Sequence, residues 1–231
     1  MEYLKEGNNP EKVFIQKGLT GSTFQGLFSL IREKGVPFQW VPQEKLNRIT
    51  RNNHQGVIAM TGVIEYAKPE TILPGIYENG ETPLLMILDK VTDVRNLGAI
   101  ARSAECAGAH SLITGIKSSA PINADAVKTS AGALTRIAVC RENDLMETIA
   151  FLQESGIRVV ACSERSEKSI YQANLTGPIA IIMGSEEKGI SKALLTMADD
   201  IVAIPQKGKI GSLNVSVAAG IVLFEANRQR G

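Results

Sequence analysis

The sequence predicts an α/β chain in two parts: a mainly parallel sheet covered by helices, preceded by a small α/β domain. Beyond Pro83, six strand-sized apolar runs, LLMILD, SLIT, RIAVC, RVVAC, IAIIMG and IVAIP, alternate mostly with helical patterns. Repetition of that kind builds parallel strands buried on both faces. From Lys12 a shorter alternation runs KVFIQK, TFQGLFSLIREKG, FQWV, QEKLNRITR and GVIAMTG, which reads as strand, helix, strand, helix, strand. Between the two lies AKPETILPGIYENGETP, whose three prolines and two glycines interrupt any sustained periodicity, so a linker is expected. The expected division is 1–67 for the small domain, 68–83 for the linker and 84–231 for the larger domain.

Composition narrows the class. At 231 residues, 44% hydrophobic and 21% charged, the chain has ample material for a core and none of the bias of a disordered or fibrous protein. The longest apolar stretches are too short to span a bilayer and MEYLKEGNNPEK lacks the apolar core of a signal peptide, so a cytoplasmic location is expected. Cys106, Cys140 and Cys162 form no C-x-x-C pair, and His54 and His110 stand apart. No metal site is expected, and the three thiols read as buried structural ones. A net charge of +1 and a pI of 7.7 argue against a strongly basic nucleic-acid binder while leaving room for a local patch.

Three polar segments each follow a strand-like run, at the edge where open parallel sheets bind ligands. In NLGAIAR (96–102), Asn96 is placed to cap a helix from Leu97 to Ala107 that Gly108 ends. Capping alone would account for it. Helical side chains lean toward the N-terminus, however, so Arg102 is expected to return toward the loop of Asn96, with Gly98 leaving room for something to approach. In IAIIMGSEEKGIS (179–191) the spacing imitates a P-loop, but Ile190 and Ser191 stand where that motif needs Lys and Ser or Thr, and the ATPase reading fails. What remains is Gly184 at a strand end followed by Ser185 and Glu186; Glu187 and Lys188 read as a solvated turn. The third segment, QKGKIGS, leads into a helix opened by Ser212, Leu213 and Asn214. Its core face is expected to be Leu213, Val217, Ile221 and Phe224. No G-x-G-x-x-G follows the first strand of this domain, which argues against NAD.

In order, NLGAIAR, IMGSEEKG and IPQKGKIGSLNVSVAAGIVLFEANRQR closely resemble the three motifs of the TrmH-like (SpoU) RNA ribose 2′-O-methyltransferases of the SPOUT superfamily, a similarity covering 84–231. Residues 12–62 resemble the small substrate-binding domain of the large-subunit rRNA guanosine methylase branch. That branch usually opens with an extra strand and helix, whereas twelve residues precede Val13 here. The resemblance implies a C-terminal trefoil knot, S-adenosyl-L-methionine held in the knot loops, and a homodimer. Carried over residue by residue, it assigns cofactor contacts to Gly184, Ile204 and Leu213, and catalytic roles to Asn96, Arg102, Glu186, Ser212 and Asn214, with no metal.

On that reading a ribose 2′-hydroxyl displaces the sulfonium, and positioning supplies much of the rate. Arginine stays protonated at neutral pH, so Arg102 suits a phosphate grip better than proton abstraction. Asn96 and Asn214 would orient Arg102 and the ribose, Glu186 would hold the network or face the sulfonium side, and Ser212 would fix its loop. Lys45, Arg48, Arg51, Lys90, Arg95, Lys207 and Lys209 are candidate contacts to RNA. Ribosomal RNA is the expected substrate, with transfer RNA the nearest alternative. A non-catalytic RNA-binding assembly factor and a nucleotide-binding α/β protein are the readings from other classes.

Overall fold

Strand β5 (Leu84–Asp89) is buried along its whole length, and its alternating side chains face two separate cores. Leu84, Met86 and Leu88 enter one cluster while Leu85 and Ile87 enter another. A strand apolar on both faces needs cover on both, and the helices supply it. The computed structural model describes residues 2–5, 10, 12–60 and 62–231. The chain divides into two units, Met1–Val63 and Ile64–Gly231.

The first unit contains α1 (Glu2–Lys5), β1 (Lys12–Gln16), α2 (Ser22–Glu33), β2 (Phe38–Val41), α3 (Gln43–Ile49) and β3 (Val57–Met60). The strands lie in the order β2-β1-β3, with β1 parallel to β2 and antiparallel to β3. Val13 and Ile15 pack with Ile31 of α2 in a small core. Phe24 and Phe28 of α2 meet Phe38 and Trp40 in a cluster of edge and stacked ring contacts. The strand expected over GVIAMTG includes Thr61, and the twelve residues ahead of Val13 include 1, 6–9 and 11; these positions lie outside the described residues.

The second unit continues with β4 (Tyr66–Ala67), α4 (Pro69–Glu78), β5, α5 (Val94–Cys106), β6 (Ser111–Gly115), α6 (Ala124–Thr129), β7 (Ala138–Glu142), α7 (Leu145–Glu154), β8 (Arg158–Cys162), β9 (Ile179–Gly184), α8 (Lys192–Met197), β10 (Asp200–Val202) and α9 (Val215–Arg230). Its seven strands run β10-β8-β9-β5-β6-β7-β4, every pairing parallel. All six anticipated runs contribute strands. The run IVAIP does so only at its start, since the strand ends at Val202 and the chain leaves the sheet before Pro205.

The stretch 68–83, expected as a linker, instead carries α4. Pro69 sits at the first helical position, where no amide is needed, and Leu73 and Ile76 are buried in the second core cluster. Tyr66 and Ala67 pair with Val139 and Cys140 as the edge strand. Prolines obscured a pattern that burial made helical.

Helix α5 ends where glycine predicts, with Gly108 at a φ of +73°. The space beside Gly98 is already filled: a Cβ there would stand 2.7 Å from Thr129 Cβ and 3.0 Å from the Ser130 amide. What approaches Gly98 is the end of α6, not a ligand.

Helix α9 corrects a second expectation. Its core face is Val215, Ala219, Val222, Leu223 and Ala226, whereas Leu213, Val217 and Phe224 are exposed and Ile221 only packs at the margin. Both sets repeat at helical spacing; small residues on the inner face let α9 lie close to α5, where a Cβ on Gly220 would stand 3.7 Å from Ser103 Oγ.

The far end of α9 is fastened to the opposite edge of the sheet. Arg230 donates to the carbonyls of Thr82, Pro83, Leu175 and Gly177 at 2.7–3.1 Å. Gln229 accepts from the Leu175 amide and donates to Ala173 and to Glu225. Glu225, itself buried, receives two hydrogen bonds of 2.8 Å from Arg228. The bonds from Arg228 and Gln229 hold its carboxyl down to about 2, from an ordinary 4.5, against the opposing effect of burial. A carboxyl depressed in the folded chain stabilises it above the unfolded value, and that contribution is lost as pH falls from about 4.5 through about 2. Calorimetry of Glu225→Gln is expected to give a melting temperature below the parent's at pH 7, with the gap closing as the pH approaches 2.

Candidate active site

Three loops from the carboxyl edge of the second unit's sheet meet in one hydrogen-bonded triangle. Asn214 is the N-cap of α9: its Oδ1 accepts from the Ser216 amide at 2.9 Å and from Ser216 Oγ at 2.5 Å. Because a main-chain N–H can be met only by the amide oxygen, the cap fixes the side-chain orientation and turns Nδ2 outward. That nitrogen donates to Asn96 Oδ1 at 3.1 Å and to Glu186 Oε1. Asn96 Nδ2 closes the triangle on Glu186 Oε1 at 3.0 Å. Three residues up to 118 positions apart thus form a unit in which one carboxylate oxygen takes two amide donors. Glu186 Oε2 bonds to no described residue.

Asn96 reaches this position from inside the helix, not from its cap. Asp93 is the cap, its Oδ1 accepting from the Arg95 and Asn96 amides at 2.8 and 2.9 Å, so the helix starts at Val94 and not at Leu97. A carboxylate three residues earlier outcompetes the asparagine for the free amides, and Asn96 keeps its side chain for the triangle.

Arg102 does not join. Six residues beyond Asn96, it lies about 120° around the helix. It is exposed and makes no hydrogen bond or ion pair with any described residue. The expectation that Asn96 and Asn214 orient it is corrected, since they bond to each other and to Glu186. Ser212 is likewise exposed and hydrogen-bonds to no described residue, so the loop is not held by its hydroxyl.

Glu186 is delivered by a tight crossing. A Cβ on Gly184 would fall 2.1 Å from the carbonyl carbon of Gly189 and 2.2 Å from the Ile190 amide, so the chain passes back over the end of its own strand at backbone distance. The Gly189 amide closes on Ser185 O at 2.8 Å. The buried carboxylate of Asp89 then accepts from the Ser191 amide at 2.6 Å, tethering the exit of the loop to β5.

Beside this crossing lies a cavity of about 310 Å³ that Gly184, Ile204, Ser212 and Leu213 all line. Its apolar wall includes Met183, Val215 and Ala218, and its polar rim includes Glu164 and Glu186. The main-chain groups of Ile204 and Leu213 bond to no described residue, leaving them open to a ligand. Cys162 is part of the lining; burial first and Glu164 second push its thiol up to about 12, so it presents a neutral wall. Cys140 is buried and raised to about 12 as well, whereas Cys106 is exposed, contrary to expectation. Among the described residues no group of three or more His, Cys, Asp or Glu is placed to hold a metal, and no helix is long and apolar enough to cross a membrane.

Asp89 and Asp93 escaped the sequence reading. Each left a trace: Asp89 is a charge ending an otherwise apolar strand, and Asp93 is a capping residue three before Asn96.

The segments that build the site lie within a region that matches a known family. Residues 83–224 match the SpoU rRNA Methylase family, and residues 1–67 match the domain described as RNA 2'-O ribose methyltransferase substrate binding. The 23S rRNA (guanosine-2'-O-)-methyltransferases of Yersinia pestis and Pectobacterium atrosepticum are 37% and 39% identical, over 95% of this chain and 89% and 90% of theirs. Among solved structures, the AdoMet-bound rRNA methyltransferase from Sinorhizobium meliloti superposes with a TM-score of 0.64 at 26% identity, over 98% of this chain and 83% of that one. The A. aeolicus TrmH/SpoU tRNA modifying enzyme gives a TM-score of 0.60 at 28% identity, over 65% and 76%.

Gly184→Ala is expected to lower the stability of the chain by roughly 3 kcal/mol or more, since main chain and not a flexible side chain occupies the space. Urea unfolding checks this; an unchanged midpoint would contradict the crossing.

Proposed function

The chain belongs to the SpoU rRNA methylase family, and from that premise we propose that it transfers a methyl group from S-adenosyl-L-methionine to a ribose 2′-hydroxyl of RNA, a guanosine of 23S ribosomal RNA. The observation that carries this reading is the Asn96–Glu186–Asn214 triangle on the rim of the cavity lined by Gly184, Ile204 and Leu213.

The cavity suits the cofactor. Met183, Ile204, Leu213 and Val215 provide apolar surface for an adenine face, and the open main-chain groups of Ile204 and Leu213 suit its edge and ribose. When bound, the cofactor supplies a sulfonium methyl carbon open to displacement. A ribose hydroxyl taking that methyl group would release the sulfur as a neutral thioether and would give up its proton to an acceptor. Glu186 is the acceptor nearest to hand in chemistry: Oε1 is held by two amides and Oε2 remains for the hydroxyl. Asn96 and Asn214 keep that carboxylate in one rotamer. Arg102, exposed and without an ion-pair partner among the described residues, acts as a cation on an RNA phosphate. Ser212 lies on the loop that borders the cavity.

Residues 84–231 form the knotted catalytic domain in this reading. The strand order β10-β8-β9-β5 and the passage of Gly189 and Ile190 across Gly184 support a trefoil knot. Residues 1–67 capture RNA, a role supported by the match to the substrate-binding domain and by the exposed Lys45 and Arg48 of α3. The outward stripe of α9, where Val217 and Phe224 are 50% and 51% exposed, supports a homodimer. A cytoplasmic location follows from a ribosomal RNA substrate.

Methyl transfer from labelled S-adenosylmethionine to unmodified ribosomal and transfer RNA tests the function. Label on 23S RNA is expected, with Arg102→Ala and Glu186→Gln each reducing it at least 10-fold. Label on transfer RNA alone would change the substrate, and RNA binding without label would favour an assembly factor. For the dimer, Phe224→Glu is expected to shift sedimentation from dimer to monomer.

A further inference from the structure

A second cavity, of about 430 Å³, lies against the other side of the 185–188 loop, and Glu186 and Val215 line both. Its remaining wall comes from two loops the methyl-transfer chemistry does not otherwise use, contributing Lys90, Thr92 and Asp93 from one and Ser118 from the other. The loops are tied by a 2.8 Å hydrogen bond from the Ala120 amide to Val91 O. Lys90 and Ser118 have φ of +58° and +57°, two of the four left-handed non-glycine residues among those described. Such conformations cost energy and persist where the surroundings impose them.

Some charged groups of this cavity are uncommitted, and they are mixed in sign. Lys90 and Lys188 form no ion pair with any described residue. Asp93 engages two amides through Oδ1 alone, leaving Oδ2 open. Asn96 is part of this wall while its side chain holds Glu186. Glu186, which the triangle holds, lines both cavities, so the second lies directly beside the place where a ribose would meet the first.

We propose that this second cavity reads the target base, with Lys90 donating to guanine O6 and Asp93 Oδ2 accepting from the adjacent ring N1–H. The inference rests on the reading of the chain as an RNA methyltransferase. Adenine reverses both partners, an amine facing the ammonium and a bare nitrogen facing the carboxylate, so it is rejected. Asp93 and Lys90 are specificity residues here, not groups that touch the reacting atoms.

The test is titration of the full chain, saturated with S-adenosylhomocysteine so that the first cavity is closed to adenine, with 5′-GMP and 5′-AMP, followed by NMR, alongside methyl transfer to ribosomal RNA. GMP is expected to bind at least 10-fold more tightly and to shift the signals of Lys90 and Ser118. Asp93→Asn keeps an oxygen for the helix cap but puts a donor where the acceptor stood. It should cut GMP affinity roughly 10- to 100-fold while the melting temperature and cofactor affinity hold. Lys90→Met provides a second variant that removes the donor, leaves the cap untouched and should weaken GMP alone. Equal binding of the two nucleotides, or an unaltered preference in both variants, overturns the assignment even if methyl transfer proceeds. A GMP preference lost in the variants, with no methyl transfer by the parent chain, upholds the pocket and overturns the activity.

Discussion

The crossing of the chain over Gly184 is the constraint on which the rest of the site depends. Main chain occupies the space a side chain would need, so the 185–190 loop is pressed against the end of β9, with Asp89 anchoring its exit. This contact puts Glu186 within reach of helices that begin on two other loops. It also separates the space at the sheet edge into two cavities that share a wall.

The triangle above the crossing shows how a helix cap becomes part of a site. Asn214 satisfies the first amides of α9 with its oxygen and has its nitrogen left over, already oriented. The same economy operates at α5, where Asp93 takes the amides and frees Asn96. Neutral amides, not cations, therefore hold Glu186. A carboxylate oxygen held in this way leaves the other, Oε2, without a partner among the described residues. Arg102 stands apart, outside the triangle and exposed to solvent.

Much of the fold was legible because burial on both faces leaves a mark that needs no partner to read: six apolar runs became six parallel strands. The misreadings have a common cause. Residues 69–78 carry two prolines and looked irregular, but Pro69 opens a helix at no cost and Leu73 and Ile76 find a core. On α9 two apolar stripes compete at the same spacing, and only packing against α5 determines that Ala219 and Leu223 face inward while Val217 and Phe224 do not.

The sequence by itself determined the α/β class, the order of the strands along the chain, the three polar loops and the family they mark, because these depend on local pattern and residue type. It also singled out Gly184, Ile204, Leu213, Asn96, Glu186 and Asn214. Tertiary structure alone decided what those residues do to one another. That Asn96 bonds to Glu186 and Asn214 while Arg102 bonds to neither is a matter of helix phase and of which residue caps. The room beside Gly98 belongs to Thr129 for the same kind of reason. Contacts between residues 90 or more positions apart are set by how the sheet stacks and the chain crosses, and no local pattern in one strand records them.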